Sequence, residues 1–397
     1  MNREIERIIL YAKHIWIYGA GIVGKRAACA MQDHAAYSKM RGFVVTEGGN
    51  DDSLDGYPVI SIDEVSTPPV DTFFLIAVSD KYQKEVTETL EKRGYFSHAI
   101  WDSRLSLYSS DHSLIDRRKG YDKVCFVLSG YKDFLWEKVF DRLKRYLPAD
   151  VEVCILSSGL YDERLDNIAE DNGYSYLYTA INDLTLIQNI ALCIYEDAEW
   201  IYKMDEDIFL TEGCFEKLMQ TYERVEREER YEVGFTAPLM PLNGYSYIHI
   251  LDHYNKLEDF ENRFGRAVNG GYKTRNIENN PKAARYMWGD EDSLPHIDLM
   301  NRDFSQEWKY GVCGLRYSIG FILFKREFWK LIGEFVMTGT TDLGEDERNI
   351  CAHCAMKSRA MIVSHDTVAG HFAFGVQTEM MKEFYEEHPE RFEICEE

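Results

Sequence analysis

The chain is 397 residues long, so two domains are the natural expectation, and 45% apolar and 14% aromatic residues can furnish sizeable cores. A formal net charge of −23 speaks against a nucleic-acid partner and against electrostatic binding to anionic lipid. No stretch approaches the ~20 apolar residues of an integral membrane segment, and the charged start MNREIERIILYAKH has no apolar h-region of a secretion signal. A cytoplasmic protein, at most peripheral at the inner membrane face, is therefore expected. Nine cysteines, an odd number, lie mostly in apolar segments such as those around Cys125 and Cys154, and read as reduced core thiols. Cys351 and Cys354 have no second C-x-x-C to complete a zinc site, so a helical pair of core thiols is the better reading.

Residues 15–102 alternate strand and helix signals. A strand at 15–18 leads into a Gly-rich turn and a helix to about residue 32. Strands follow at 42–46 and 72–78, the latter apolar enough to be buried on both faces, then a helix near 80–93 and a strand at 98–101. This rhythm predicts a parallel sheet with right-handed crossovers. The polar, Ser-rich stretch 103–120 has no sustained period, so domains at 1–105 and 121–397 joined by a linker at 106–120 are expected.

A second alternating set then begins. Strands are expected at 123–129, 151–157, 175–178 and 200–205, with helices near 133–146, 162–172, 183–197 and 213–230. Residues 240–312, rich in Asn, Gly, Tyr and Arg, read as a long irregular region. Regularity returns with a strand at 318–324, helices at 326–333 and 346–357, and a strand at 360–363 before His371. The fold class is thus α/β, with two Rossmann-like domains.

Two motifs carry chemistry. Gly19-x-Gly21-x-x-Gly24 lies between a strand and a helix, the context in which such glycines admit a diphosphate at a helix N-terminus; Glu47, at the end of the next strand, falls where a ribose-binding acid would. Lys25 completes a G-x-x-x-x-G-K pattern, but Arg26 replaces the hydroxyl a P-loop offers to Mg²⁺, so an ATPase is discounted. The second motif is Asp205-Glu206-Asp207 after the apolar run 200–204. Residues i and i+2 of a strand share a side, so Asp205 and Asp207 are expected to face one point while Glu206 looks elsewhere. Two hard oxygen ligands there suit Mn²⁺ or Mg²⁺, with the remaining ligands supplied by substrate phosphates.

With these residues in place, 121–397 resembles a GT-A-type glycosyltransferase of the broad family-two kind. The segment WIYKMDEDIFL (200–210) resembles the strand-plus-DxD element, and SIGFILFKREFW (318–329) the glycine-containing strand and helix upstream of the base. Leu343-Gly-Glu-Asp346 resembles the x-E-D motif, whose Asp is the base in inverting members, and His371 the C-terminal metal-ligand histidine, with His365 as a rival. Residues 15–102 resemble the nucleotide-sugar-binding-type domains attached to bacterial sugar-modifying enzymes.

The resemblance implies a nucleotide-sugar donor and a glycan or lipid-linked glycan acceptor, in bacterial surface glycan synthesis. It implies Asp205, Asp207 and His371 as metal ligands and Asp346 with Glu345 as catalytic acids, Glu347 being an adjacent extra acid. Asp205, Ser157, Asn189 and Arg316 are the expected donor contacts. Ser157 opens the segment that follows the second strand, and Asn189 matches the Asn of an R-N-x-G element in which Gln188 replaces Arg. Arg316 stands with Arg302 and Lys309 in a segment able to close over a diphosphate. Tyr245, Tyr247, Trp288 and Trp308 are candidates for stacking on sugar rings. Two alternatives stay open: a nucleotidyltransferase, for which the loop Leu128–Asp133, with one Gly and one Lys, is a poor match, and a non-catalytic nucleotide-sugar-binding scaffold.

Overall fold

The computed structural model describes residues 12–31, 36–47, 53–54, 56–101, 112–269, 276–335 and 344–395. It forms two compact units, 1–111 and 112–397.

The N-terminal unit holds a six-stranded sheet built from β1 (His14–Tyr18), β2 (Met40–Val45), β3 (Ser53–Leu54), β4 (Tyr57–Ser61), β5 (Thr72–Ile76) and β6 (His98–Ile100), in the order β3-β4-β2-β1-β5-β6. All neighbours run parallel except the short β3. β5 is buried along its whole length, as its unbroken apolar run demands. β4 was not anticipated; Pro58 obscures its strand pattern.

The C-terminal unit is built on nine strands of one mixed sheet. They are β7 (His112–Ile115), β8 (Lys123–Leu128), β9 (Val151–Ser157), β10 (Ser175–Thr179), β11 (Trp200–Asp205), β13 (Val233–Leu239), β14 (Tyr310–Cys313), β15 (Phe321–Lys325) and β16 (Ala360–Val368). A separate pair, β12 (Ile208–Phe209) and β17 (Gly370–His371), is antiparallel. The large sheet runs β14-β16-β13-β15-β11-β8-β9-β10-β7. It is parallel through β11-β8-β9-β10 and between β13 and β16, with β15 antiparallel to both of its neighbours and antiparallel strands at both edges. β7 lies inside the stretch read as a linker: Ser113, Leu114 and Ile115 cross-pair with β10, a register that a Ser-rich sequence does not advertise.

Local chemistry sets the helices. Helix Trp136–Tyr146 buries Trp136, Val139, Phe140 and Leu143, an i, i+3, i+4, i+7 stripe. Asp162 caps helix Glu163–Asn172, which ends at Gly173 in the left-handed conformation, and Asp183 caps helix Leu184–Ile194 through two backbone N–H groups. The region expected to be irregular is instead mostly helical where described, with helices at Ser246–His253, Leu257–Phe264, Pro281–Met287 and Ile297–Phe304. Short helices broken by Gly, Asn and Pro lack the length for a clear period. Cys351 and Cys354 are buried free thiols one turn apart, as expected. Among the described residues, no helix is long and apolar enough to cross a membrane.

Candidate active site

The central strands β8 and β11 are parallel, so their carboxyl ends open into one crevice, the place where α/β sheets take ligands. Antiparallel β15 brings its own start to the same edge, and Asp205 N–H donates to Gly320 O at 2.8 Å. Gly320 lets the strands approach closely, since a Cβ there would lie 2.6 Å from Ile208 Cδ1 and push that side chain aside. A cavity of about 460 Å³ results, lined by Asp205, Asp207, His371, Asp346 and Arg316 together with Lys132 and Lys203.

Asp205 is the last residue of β11, and the chain turns at Glu206-Asp207. Strand alternation therefore stops at Asp205, and the expected three-ligand set does not form. Among the described residues, no three His, Cys, Asp or Glu side chains meet as a metal cage. Asp205 Oδ1 instead pairs with Lys203 Nζ at 2.6 Å. Burial pushes the Asp205 carboxyl up to about 6, with Lys203 pulling down and Asp346 and Asp207 pushing up. Its side chain keeps 35% of its surface exposed, so water tempers that push.

Asp207 and His371 do converge, with Asp207 Oδ2 lying 3.4 Å from His371 Nε2. The antiparallel pair β12–β17 holds them together, since Ile208 is opposite His371. His371 Nδ1 donates to Leu242 O at 2.9 Å, which leaves Nε2 as the nitrogen facing the carboxylate. Burial would raise Asp207, but Lys132 and His371 hold it well below the usual carboxylate range. Burial alone would lower His371; Asp207 outweighs it and raises the imidazole. A carboxylate and an imidazole of fixed tautomer fit Mn²⁺ or Mg²⁺ as a two-ligand platform completed by phosphate and water.

Glu206, expected to look elsewhere, borders the same cavity as Asp205 and Asp207, but its carboxylate is taken up by the backbone. It is 6% exposed and accepts the N–H groups of Gly130, Tyr131 and Lys132, each at 2.8 Å, and Trp136 Nε1 at 2.6 Å. It thereby pins the loop after β8, and Lys132 reaches from that loop to Asp207 Oδ2 and to Ala373 O at 3.0 Å. Sequence reasoning met Lys132 only as the single Lys of a loop that matches a nucleotidyltransferase poorly, and did not foresee its pairing with Asp207.

Asp346 sits in the first turn of helix Glu345–Met356, after Gly344, whose φ of +82° marks the left-handed N-cap. Its Oδ1 accepts Glu347 N–H at 2.9 Å, and its Oδ2 accepts Gln188 Nε2 at 3.1 Å. The buried Lys203 ammonium stands 3.6 Å from Asp346 Oδ2 and donates to Ile319 O at 3.1 Å, so it bridges Asp205 and Asp346. Burial opposes the Lys203 charge, but the two carboxylates outweigh it and raise the amine. Gln188, which stands where an Arg was looked for, thus contacts Asp346 directly.

Other expected contacts fall elsewhere. Glu345 pairs with Arg348 and does not line the cavity, whereas Glu347 does and pairs with Arg316. Burial raises the Glu347 carboxyl against the pull of Arg316. Ser157 is fully buried and donates to Ser129 O at 3.0 Å; the neighbouring Ser158 lines the cavity. Asn189 donates to Phe335 O at 2.9 Å and accepts from Trp329 Nε1 at 3.0 Å, which makes it a packing hub. Both were assigned by motif, and their side chains point into the core. His365 packs against His249, with ring centroids 4.6 Å apart and the planes tilted by 46°, and does not line the cavity. Arg302 donates to Cys395 O at 3.1 Å. Tyr247 and Trp288 are core residues, Trp308 lies under Arg224 with the guanidinium 3.5 Å from the ring centre, and Tyr245 packs on His365.

In the N-terminal unit the glycines of the turn divide their work. A Cβ at Gly24 would lie 1.8 Å from Gly19 O, and one at Gly19 would lie 2.4 Å from Ala77 O, so both serve close packing. Gly21 has open space around it, and Glu47 is exposed just beyond β2.

No family model and no curated protein matches the chain. Among solved structures it is similar to the mannosyltransferase PcManGT from Pyrobaculum calidifontis in complex with GDP-Man and Mn²⁺, at 17% identity over 64% of this chain and 58% of that one, with a TM-score of 0.36. It is similar also to GalNAc-T7 with UDP, GalNAc and Mn²⁺, at 12% identity over 69% of this chain and 52% of that one, with a TM-score of 0.38. The match thus spans little more than half the length of either chain. At TM-scores below 0.5 neither likeness decides the chemistry, which rests on the residues above.

Proposed function

We propose that the C-terminal unit is a metal-dependent, inverting glycosyltransferase that moves a sugar from a nucleotide-diphosphate donor to a hydroxyl of a glycan or lipid-linked glycan, in bacterial surface glycan synthesis. One observation carries the reading: a single cavity is lined by the Asp207–His371 pair and by Asp346. Glycosyl transfer requires a cation beside the departing diphosphate and a carboxylate beside the incoming hydroxyl. Asp207 and His371 would hold Mn²⁺ or Mg²⁺, which when bound supplies Lewis-acid charge to the leaving group.

The chain's own residues do the rest. Asp346 accepts the acceptor's proton, its carboxylate aimed by Gln188 and Glu347 N–H and kept beside the Lys203 ammonium. Asp205 serves the donor's ribose, directly or through water. Arg316, at the cavity wall and paired with Glu347, is the residue that would meet the donor's diphosphate. In the N-terminal unit, the open backbone at Gly21 and the exposed Glu47 favour a nucleotide or nucleotide sugar there.

The rival reading, nucleotidyl transfer, needs a Gly-rich basic loop after the first strand, and the loop after β8 offers one Gly and one Lys, the latter paired with Asp207. Incubation with nucleotide sugars and Mn²⁺ separates the readings. Nucleoside diphosphate is the expected product; pyrophosphate released in a parallel incubation with nucleoside triphosphates and sugar 1-phosphates would mean a nucleotidyltransferase. Neither product across a broad donor panel would favour a binding scaffold and refute the transferase.

A further inference from the structure

The place where a divalent ion would bind Asp207 is taken by a side chain of the chain itself. We propose that Lys132 is the resident counter-ion of Asp207 and competes with the divalent ion for it, so that metal binding and release of the Lys132 ammonium into the cavity are one event. This rests on the metal-dependent reading above and names a residue that tunes it.

Lys132 Nζ bonds Asp207 Oδ2, the same oxygen that faces His371 Nε2 at 3.4 Å. A divalent ion bridging that carboxylate and that imidazole would lie against the ammonium. A single and a double positive charge at one oxygen repel strongly where solvent screening is weak, and Asp207 is only 3% exposed. The two cations therefore exclude each other.

The competitor is built in. Three consecutive N–H groups, those of Gly130, Tyr131 and Lys132, are held on the Glu206 carboxylate. The tripeptide that supplies the metal ligand Asp207 thus also anchors the backbone of its rival. With its backbone bonded to Glu206, displacement of Lys132 falls to its flexible side chain. Its second bond, to Ala373 O, spans to the segment that follows His371, so it ties the two walls of the cation's position together. Once displaced, the ammonium stays tethered at the cavity wall, where a donor's diphosphate needs a compact point charge. Metal and donor would then favour each other's binding through Lys132.

The test measures Mn²⁺ affinity of the full-length protein without donor, by calorimetry and by electron paramagnetic resonance of free Mn²⁺. Lys132→Met and Lys132→Gln should bind Mn²⁺ roughly 10-fold or more tighter than wild type, the scale on which neighbours of metal ligands act. Lys132→Arg, which keeps the charge, should stay near wild type, and Asp207→Asn should abolish the site. In EDTA the Met variant should melt lower than wild type, and saturating Mn²⁺ should raise its melting temperature by the larger increment. Equal or weaker Mn²⁺ affinity in both uncharged variants, at a site still lost in Asp207→Asn, overturns the competition and leaves the transferase reading standing. Absence of an Asp207-dependent Mn²⁺ site in every form overturns both.

Discussion

Replacing Asp346 by Asn tests the proposed base with the least change of shape. General base catalysis contributes ~10²–10⁴-fold, or about 3–5 kcal/mol of barrier. Asp346 offers two acceptor oxygens, one to Glu347 N–H at 2.9 Å and one to Gln188 Nε2 at 3.1 Å, with Lys203 Nζ 3.6 Å from the latter. An Asn keeps one acceptor and turns an N–H₂ group toward another donor, a mismatch that costs about 1–3 kcal/mol of stability in a residue 4% exposed. The variant should therefore melt somewhat lower yet fold. Its turnover, followed as nucleoside diphosphate released with acceptor present, should fall at least ~100-fold. Donor affinity, read by thermal shift with Mn²⁺, should stay within a few-fold of wild type, because Asp207 and His371 are untouched. Glu345→Gln, which alters only the pair with Arg348, should leave turnover close to wild type. A folded Asp346→Asn protein with undiminished turnover would remove Asp346 from the role and move attention to Glu347.

Glu206→Ala strips the acceptor from three backbone N–H groups and Trp136 Nε1, and should cost about 3–5 kcal/mol in urea unfolding; a loss under 1 kcal/mol would contradict the anchoring role. Asn189→Ala should destabilise by about 2–3 kcal/mol through the orphaned Trp329 and Phe335 groups while donor affinity stays unchanged, and a selective loss of donor binding would return Asn189 to the site. His365 is held neutral by burial at about 4, and His249 is lowered in the same sense. The unfolded imidazole titrates near 6.5, so this stability is complete above about pH 6.5 and is lost as pH falls toward 4, amounting to roughly 3 kcal/mol. Urea unfolding at pH 7.5 and pH 5 should show a smaller difference for His365→Asn than for wild type, and an identical difference would refute the assignment.

Where elements were long and periodic, the sequence announced them. The apolar run at 72–76 became a buried strand, the stripe over 136–146 became a helix, and the run 200–204 delivered Asp205 to the sheet edge. Asp207 was legible from the acids at the end of that strand, and Asp346 and His371 from the motif resemblance; the three line one cavity. The short helices between 246 and 304, and the strand at 112–115, carried too little period to be read.

Sequence by itself determined that the chain is α/β, with acids at one strand end and one helix start. Tertiary structure decided their partners. Asp205 and Asp207 line one cavity but take different partners, Lys203 for the first and Lys132 with His371 for the second. Ser157 and Asn189 are at motif positions yet face the core, and Gln188 reaches Asp346 from 158 residues away. Periodicity encodes which side of one element is buried; which charges face each other across a crevice depends on how distant strands are ordered, and that order is set only when the sheet assembles.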